Sequence, residues 1–482
     1  MSEVKFFSGE KIPLEMHKVR MVQKVNLLPV EERLSCMQEA GFNTFLLKNR
    51  DVFLDMLTDS GVNAMSENQY AAMMQADDSY AGSETYFRLE SVLEDIFKMK
   101  HFLPAHQGRA CENIIAQTLV KPGSVVLMNY HFTTTRAHIT NMGGRVEEII
   151  NDEGLKIESG SLFKGDVDIA KLKDAISRFG REQIAFMRIE AGTNLIGGQP
   201  VSMDNMREVS RICRENGIPL VYDASLLSDN LYFIKVRDPK YRDTDIKEIT
   251  REIASFMDIL YFSGRKLGAA KGGAILVSDN ELFLKMREMI PLYEGFLTYG
   301  GMSLREMEAL TVGLLETLDF EIIRQTPIFV EALCDELISR GIPVVSPPGG
   351  LGCHVDAKQF NSHLPQRQYP AGALAAALFI ASGVRSMERG TLSEQRKEDG
   401  SEPLANMELI RLAIPKRVFT LSQIKYTADR LSWLYENRHL IGGLEFVEEP
   451  KVLRFFFGRL RPLSNWPEVL AGQFRKDFGE SL

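Results

Sequence analysis

The stretches PLVYDAS (219–225) and DILYFSGRK (258–266) decide the fold. Each is a short apolar run of β-forming residues that ends in polar residues, Asp223 in the first and Arg265 and Lys266 in the second. Asp223 and Lys266 are 43 residues apart, which leaves room for one crossover helix between neighbouring parallel strands. Ligands of such sheets bind at the carboxyl ends of the strands, so we expect the two residues to share a site.

The alternation of short apolar runs with amphipathic runs extends from about residue 100 to residue 280. Helical periodicity is clear in DIAKLKDAISRF (168–179) and MDNMREVSRICREN (203–216). Strands that alternate with helices indicate right-handed crossovers and a mainly parallel sheet, which predicts the α/β fold class. The other predicted strands are SVVLMNY (124–130), GRVEEII (144–150), IAFMRIE (184–190) and GGAILVS (272–278).

The length of 482 residues predicts two lobes of unequal size, since one simple core does not grow that large. Residues 1–65 mix short apolar pieces with turn signals and are typical of an arm, which we expect to contribute to the small domain and to subunit contacts. Residues 66–325 form the predicted large domain. One long helical pattern at 303–341 leads into a predicted small domain of mixed helices and strands, residues 326–482.

Composition excludes several classes of partner and compartment. A net charge of −8 argues against nucleic acid or an anionic membrane as a partner. We find no apolar run of about 18 residues that would span a bilayer, and the charged N-terminus lacks the apolar core of a secretory signal. The five cysteines are scattered, without a CxxC pair, so we expect free thiols, no structural metal and a cytoplasmic protein.

The pair of Asp223 and Lys266 is what pyridoxal-5′-phosphate (PLP) chemistry needs. A lysine amine forms an imine with this cofactor, and a carboxylate keeps the pyridine nitrogen protonated so that the ring accepts electrons. Taken alone, the two residues are equally compatible with a helix cap and a solvated loop lysine. The segment HQGR (106–109) favours the cofactor, because it precedes the helical run CENIIAQTLV and the amides of a helix N-terminus bind phosphate.

Four further residues stand where they can contact such a cofactor. Arg109 and Ser263 can add donors to the phosphate site. Phe132, after the strand SVVLMNY, can stack on the pyridine ring, although such a residue often belongs to the core. Asn194, after IAFMRIE, can donate to a ring oxygen, although asparagine is also a common turn residue.

Ordered motifs extend along nearly the whole chain. Together they resemble the family of tyrosine phenol-lyase and tryptophanase, and so many matches in order are far more specific than any single motif. The motifs are QEAGFNTFLL (38–47), LTDSGVNAMS (57–66), YAGSE (80–84), HQGR (106–109), YHFTTTR (130–136), TNLIGGQPVSM (193–203), VYDAS (221–225), SGRK (263–266), YEGFLTYGG (293–301), GVRSMERG (383–390), LIRLAIPKRVFT (409–420) and EPKVLRFF (449–456).

The resemblance implies a PLP-dependent enzyme of the aspartate-aminotransferase-like fold (fold type I), with a mainly parallel large-domain sheet and a smaller α+β domain. Such enzymes are lyases that release pyruvate and ammonia from an aromatic amino acid, through an external aldimine and a quinonoid. The family assembles as homotetramers, as dimers of dimers, and uses a monovalent cation. The partners that the resemblance implies are therefore a small amino-acid substrate and further copies of the chain.

The resemblance also implies the residues that bind the cofactor. Lys266 resembles the lysine that carries PLP, and Asp223 the partner of the pyridinium nitrogen. Phe132 resembles the stacking ring, and Asn194 a ligand of the cofactor's O3′ region. The phosphate site is implied for Gln107, Gly108, Arg109 and Ser263.

The substrate side is implied in the same way. Arg411 resembles the arginine that clamps the substrate carboxylate, a bidentate role that lysine fills poorly. Tyr80 resembles a tyrosine that a neighbouring subunit supplies to protonate the leaving group. Thr133 and Arg389 match the pair that holds the phenolic oxygen, although Arg389 would alternatively form a surface salt bridge. The remaining implied residues are Arg265 beside the lysine, Thr58 and Ser60 at the substrate, and Phe45, Phe296, Met387 and Phe455 as apolar walls.

Several residues near the expected site depart from the family pattern. Leu226 stands where the relatives have an arginine that hydrogen-bonds the cofactor oxygen, and Leu351 stands in place of a histidine. Lys271 replaces an asparagine that helps to bind the monovalent cation, so we expect its ammonium group to replace that cation. Phe296 replaces a methionine. Further changes are Arg265 for lysine, Leu267 for aspartate, and an unmatched stretch after Phe457.

These departures leave three functions open. The first is a carbon–carbon lyase on tyrosine or a close analogue. The second is a lyase that eliminates a halide, thiol or similar group from a small or activated amino acid. The third is a catalytically dead PLP-fold binding protein, which the intact Lys266, Asp223 and Arg411 disfavour. We expect poor cleavage of tyrosine, because Phe296 would add bulk to a pocket wall and Leu226 removes a charged partner of the cofactor.

Overall fold

The computed structural model describes residues 6–7, 12–397 and 399–481. Its strands are β1 (Leu54–Asp55), β2 (His101–Ala105), β3 (Val125–Met128), β4 (Arg145–Glu148), β5 (Ile184–Glu190), β6 (Leu220–Asp223), β7 (Ile259–Ser263), β8 (Gly273–Val277), β9 (Gly352–Asp356), β10 (Val384–Arg385), β11 (Met387–Arg389), β12 (Leu409–Ala413), β13 (Leu444–Glu448) and β14 (Arg459–Pro462).

The helices surround these strands and fill the connections between them. In chain order they are α1 (Val30–Glu39), α2 (Glu67–Met73), α3 (Glu84–Phe97), α4 (Gly108–Leu119), α5 (Thr133–Asn141), α6 (Ile169–Phe179), α7 (Met203–Glu215), α8 (Leu227–Arg237), α9 (Ile246–Phe256), α10 (Asn280–Arg287), α11 (Ile290–Tyr293), α12 (Leu304–Glu316), α13 (Phe320–Ile323), α14 (Gln325–Ser339), α15 (Ala357–Phe360), α16 (Pro370–Ser382), α17 (Leu421–Glu436), α18 (Arg454–Phe457) and α19 (Trp466–Phe478).

The central sheet is mainly parallel, as the sequence predicts. Its order within the described chain is β2-β8-β7-β6-β5-β3-β4. The five strands from β4 to β7 along this order run parallel; β8 is antiparallel to β7, and β2 is antiparallel to β8. All six strands expected from the sequence are present, which confirms them. The unexpected strand, β2, lies at the edge of the sheet, where its Pro104 is tolerated.

Two connections differ from the expectation. The crossover from β6 to β7 contains two helices, α8 and α9, where the spacing suggested one. The long helical pattern at 303–341 is divided into three helices, α12, α13 and α14. Asp319 explains the first division, because its side chain accepts the backbone N–H of Glu321 and so caps a new helix.

A second hydrophobic core lies apart from the central sheet. It combines residues from 30–57 with residues from 329–474, around the fully buried helix α16 and the small sheet β11-β12-β9. The stretch after Phe457, which the sequence left unmatched, forms β14 and α19 and adds Trp466 and Phe474 to this core. The exact boundaries of arm, large domain and small domain stay a prediction.

Among the described residues, no helix is long and apolar enough to cross a membrane.

Candidate functional site

A cavity of about 330 Å³ lies at the carboxyl ends of β5, β6 and β7 and extends to the strands β11 and β12 of the second core. Of the predicted site residues, the structure brings together all except Tyr80, Asn194 and Phe296. Those that line the cavity are Phe45, Thr58, Ser60, Gln107, Gly108, Arg109, Phe132, Thr133, Asp223, Ser263, Arg265, Lys266, Met387, Arg389, Arg411 and Phe455.

Lys266 follows directly after β7 and is largely enclosed, since only 14% of its side chain is exposed. Its Nζ lies 5.7 Å from the centre of the Phe132 ring. The nearest carboxylate oxygen is Oδ1 of Asp59, at 3.9 Å, and within the described chain this buried oxygen accepts no hydrogen bond. The sequence analysis missed Asp59, although it stands between Thr58 and Ser60 in a quoted motif.

The N-terminus of α4 has the shape of an anion cradle. Gln107 pairs with Gly272 beside the sheet, and the helix begins at the next residue, Gly108. A Cβ added at Gly108 would lie 2.9 Å from Cβ of Ser263, so only glycine allows this close approach. The free amides and the helix dipole favour a phosphate here, and Arg109 and Ser263 line the same part of the cavity.

Asp223, at the end of β6, is held by three donors. Arg188 donates to its Oδ2 at 2.6 Å and Tyr261 donates to the same oxygen at 3.0 Å. The backbone N–H of Ser225 donates to Oδ1 at 3.0 Å. The carboxylate is thereby fixed in one orientation at the cavity wall, which suits a partner for a ring N–H.

Sequence reasoning missed Arg188, Glu190 and Tyr261 as site residues. Arg188 and Glu190 are buried in β5, a strand that otherwise consists of apolar residues. Two charged residues at alternate positions of a strand in the middle of a parallel sheet were the available signal, since such strands are normally apolar throughout. Burial raises the pKa of Glu190 to about 7, and its neighbour Arg188 opposes that shift.

Arg411 lines the cavity, and Asn194 lies directly behind it. Nη1 of Arg411 donates to Oδ1 of Asn194 at 2.8 Å, and Nη2 donates to the carbonyl of Leu57 at 2.7 Å. Nε of Arg411 and Nδ2 of Asn194 are both buried and find no acceptor in the part of the chain that the structure describes. Each has a free donor for a bound molecule, and Asn194 is thus close to the site without lining the cavity.

Arg389 is buried in the cavity wall, with 4% of its surface exposed, and the surface salt bridge considered for it is wrong. Its Nε and Nη1 have no hydrogen-bond partner among residues 6–7, 12–397 and 399–481. Its guanidinium lies 5.8 Å from the centre of the Phe132 ring, and burial together with Arg411 lowers its pKa. A buried cation with unused donors indicates a site for an acceptor on a ligand.

Tyr80 and Phe296 lie outside this chain's cavity. Tyr80 is 71% exposed; it stacks on Phe296, with ring centres 5.6 Å apart, and meets Tyr299 edge-on at 5.5 Å. The role of Phe296 as a pocket wall stays a prediction. Lys271 is also peripheral: its side chain is 63% exposed, and its Nζ lies 3.6 Å from Oε1 of Glu306.

Two of the departures from the family pattern are in contact. Leu226, Leu351 and Ala413 form one small apolar cluster, and Leu226 also lines the cavity. Leu351 adopts a φ of +71°, which is unusual for a leucine, and its backbone N–H donates to Oδ2 of Asp229 at 2.7 Å. An apolar contact thus occupies the place where the resemblance implies an arginine and a histidine.

Comparison with solved structures identifies the fold. The chain is similar to a putative kynurenine aminotransferase from Saccharomyces cerevisiae (TM-score 0.61, 16% identity, 84% of this chain and 95% of that one). It is also similar to a threonine aldolase from Leishmania major (TM-score 0.56, 16% identity, 79% and 99%) and to a serine palmitoyltransferase from S. paucimobilis with a bound PLP–myriocin aldimine (TM-score 0.56, 12% identity, 81% and 89%). The fold is fold type I of PLP enzymes.

Comparison of the sequence adds a family match and relatives of higher identity. A profile of the beta-eliminating lyase family matches residues 55–430. Tyrosine phenol-lyase from Pasteurella multocida is 41% identical over 93% of this chain and 99% of its own length. The enzymes of the same name from Fusobacterium nucleatum (42%, 93% and 98%) and Clostridium tetani (43%, 92% and 97%) are similarly close.

Fold and matches together define a PLP-dependent amino-acid lyase. The cavity fits this cofactor, because a lysine, a fixed carboxylate, a glycine-tight helix N-terminus and free buried donors surround it. The chain belongs to the tyrosine phenol-lyase family of beta-eliminating lyases.

Proposed function

We propose that this lyase cleaves the Cβ–Cγ bond of an aromatic amino acid whose ring carries a hydrogen-bond acceptor, such as tyrosine or a close analogue. The observation that carries the proposal is Arg389, a buried guanidinium with free donors in a cavity that Arg411 also lines. Two arginines give the substrate two anchors, one for the α-carboxylate and one for the acceptor on the ring.

Five residues would hold the cofactor in this proposal. Asp223 would bind the ring N–H, and Nδ2 of Asn194 would donate to the ring oxygen. Phe132 would pack on the ring, and the N-terminus of α4 at Gly108 would bind the phosphate. When bound through Lys266, PLP supplies an electron sink for charge that develops at the substrate's α-carbon.

The residues of the chain then position and protonate the substrate. Arg411 holds the α-carboxylate, Nζ of Lys266 takes the proton of the α-carbon, and the hydroxyl of Tyr80 from a neighbouring chain gives a proton to the leaving carbon. Arg389 and Thr133 hold the ring oxygen, which favours the tautomer in which the carbon–carbon bond can break. The apolar walls Phe45, Met387, Phe455 and Phe456, with Thr58 and Ser60 beside the carboxylate, exclude water from the remaining space.

Replacing Arg389 with methionine separates this function from elimination on small amino acids. The variant is expected to lose about 10–100-fold in kcat/KM for tyrosine, because a hydrogen bond to a charged group contributes about 1.5–3 kcal/mol. β-Chloroalanine, which has a good leaving group and no ring oxygen, should be cleaved as fast as by the wild type. The measurement is pyruvate release from both substrates. Equal losses on the two, or release from β-chloroalanine alone by the wild type, would refute the proposed substrate class.

Tyrosine itself is expected to be cleaved slowly, below about one turnover per second. One reason is Leu226, which leaves the cofactor's ring oxygen without a cationic partner. The other is the bulk of Phe296, which stacks on Tyr80 and would reach the site that Tyr80 serves. Because Leu226 packs on Leu351, Leu226→Arg alone would bury a cation in an apolar cluster. The double variant Leu226→Arg/Leu351→His should release phenol at least about tenfold faster than wild type and either single variant. No gain in the double variant would show that the two leucines do not limit the rate.

Activity is expected to be the same in sodium and potassium buffers. Lys271 places a permanent ammonium group, paired with Glu306, where the resemblance implies a ligand of a monovalent cation. The matched variant Lys271→Asn should become dependent on potassium, because the built-in charge is gone. Initial rates at constant ionic strength test both statements, and a steep potassium dependence of the wild type would contradict the first.

We further propose that the enzyme is a cytoplasmic homotetramer with the domain boundaries expected from the sequence. The aromatic group of exposed Tyr80 with half-buried Phe296 and Tyr299 supports subunit contact at this face, because a patch of this kind is unusual on a free surface.

A further inference from the structure

Arg188 lies in the middle of the central sheet and contacts three site residues. Its side chain is 1% exposed. The guanidinium donates to Oδ2 of Asp223 at 2.6 Å, to Oε2 of Glu190 at 3.2 Å and to the hydroxyl of Tyr261 at 3.0 Å. All three donor nitrogens are therefore used, and a single buried cation lies between two buried carboxylates.

The register of the sheet brings these residues to one face. Glu190 is the β-partner of Asp223, and Asp223 is the β-partner of Tyr261. Arg188 is two residues before Glu190 on β5, so its side chain points to the same face as that of Glu190. Glu190 and Asp223 also line the cavity, whereas Arg188 lies behind them.

We propose that Arg188, Glu190 and Asp223 form one ring-charge unit, and that its net charge sets how firmly a PLP ring bound above it holds its protons. Arg188 and Glu190 are thus positioning residues that act through Asp223. The inference rests on the proposed function, since it takes Asp223 as the partner of the ring nitrogen. It goes beyond that function by adding a cation and a second carboxylate to the site.

The net charge of the unit determines whether protonation of the bound PLP ring is favoured or disfavoured. With both carboxylates ionised the ring-charge unit has one negative charge in excess, which favours a protonated ring. The raised pKa of Glu190, about 7, means that this excess is lost as the pH falls through the neutral range. The other ionisable groups around the unit are Cys111 and Glu112 of α4, Tyr261 of β7 and Arg389 of β11.

Glu112 of α4 also interacts electrostatically with Arg188 and Asp223, but it is the same in every variant compared below. The hydroxyls of Thr134 and Thr135 donate to its two oxygens at 2.6 and 2.7 Å, and it forms no ion pair with Arg188 within the described residues. Burial raises its pKa.

The test is a pH titration of the visible absorbance of the PLP-loaded enzyme in four forms. Glu190→Gln makes the unit neutral. The midpoint of the absorbance titration of this variant is expected to fall by about one pH unit or more, which is the size of the effect of a neighbouring charge. The double variant Arg188→Gln/Glu190→Gln restores a single negative charge, so its midpoint should return to within about 0.3 units of the wild type. Tyr261→Phe is the matched control, because it removes a hydrogen bond to Asp223 without changing the charge.

The outcomes separate the inference from the proposed function. If Arg188 and Glu190 had only a structural role, the midpoint of the double variant would lie further from the wild-type midpoint than that of Glu190→Gln. That result overturns the inference alone, and so does a Glu190→Gln midpoint equal to that of the wild type. If the double variant does not fold, a comparison of Glu190→Gln with Tyr261→Phe still tests the inference, because only Glu190→Gln should shift the midpoint of the titration. A wild-type enzyme that shows no visible band with PLP, or a band that survives Lys266→Ala, overturns both.

Discussion

Replacing Lys266 with alanine is expected to abolish the covalent attachment of PLP and to lower turnover by more than about 10⁴-fold, because the residue supplies both the nucleophile and the base. Borohydride reduction followed by mass spectrometry should show the cofactor's mass on the wild-type chain and not on the variant. Lys271→Ala is the matched control, since that exposed lysine lies five residues further along the same loop.

A second lysine close to Lys266 makes the Lys266 experiment decisive. Nζ of Lys416 donates to the hydroxyl of Ser228 and to the carbonyl of Leu267, next to Lys266, and its burial lowers its pKa. If the Lys266→Ala variant still traps the cofactor, Lys416 is the alternative carrier to examine, and a peptide map would place the added mass on it. Trapping at Lys416 in the wild type would contradict the assignment of Lys266.

Replacing Tyr80 with phenylalanine is expected to lower turnover by about 10²–10⁴-fold, the usual contribution of a general acid. Tyr80 does not line its own chain's cavity, and the proposal is that it serves as the acid in a neighbouring chain's site. If so, mixed oligomers of Tyr80→Phe and Lys266→Ala chains should regain activity that neither variant has. In these mixtures an intact Lys266 site receives an intact Tyr80 from the other chain.

Two controls accompany the mixing experiment. Tyr299→Phe, which alters the ring beside Tyr80, should retain activity, because it removes no acid from the site. Mixing either inactive variant with itself should give no recovery. An active monomer in light scattering, or an absence of recovery in tetramers that demonstrably exchange chains, would show that Tyr80 does not act across subunits.

The fold and the centre of the site could be predicted because they depend on local signals. Parallel strands buried on both faces are continuous apolar runs, and Asp223 and Lys266 stand where two such runs end. The edge strand β2 gave no such signal, since it begins with the polar His101 and contains Pro104. Asp319 shows the same limit for helices, because a single capping residue divided a pattern that looked continuous.

The parts of the site that escaped prediction depend on register and on assembly. Which face Arg188 and Glu190 point to follows only from the pairing of β5 with β6, and a sequence does not contain that pairing. The contact between Leu226 and Leu351 likewise joins positions 125 residues apart. Phe296 stacks on Tyr80 outside its own chain's cavity, so its role as a pocket wall depends on a second chain and stays a prediction.

The cavity is lined by all parts of the chain: Phe45 and Thr58 come from the arm, Asp223 and Lys266 from the large sheet, and Arg411 from the second core. A molecule bound there acts as a non-covalent cross-link between segments that are otherwise far apart in sequence. Binding that occurs only in the folded state adds to the free energy of unfolding, by about 2.7 kcal/mol at a hundredfold excess over Kd. Resistance of this enzyme to heat and proteolysis is therefore set in part by the supply of its cofactor, and purification without added PLP would select for the less durable form.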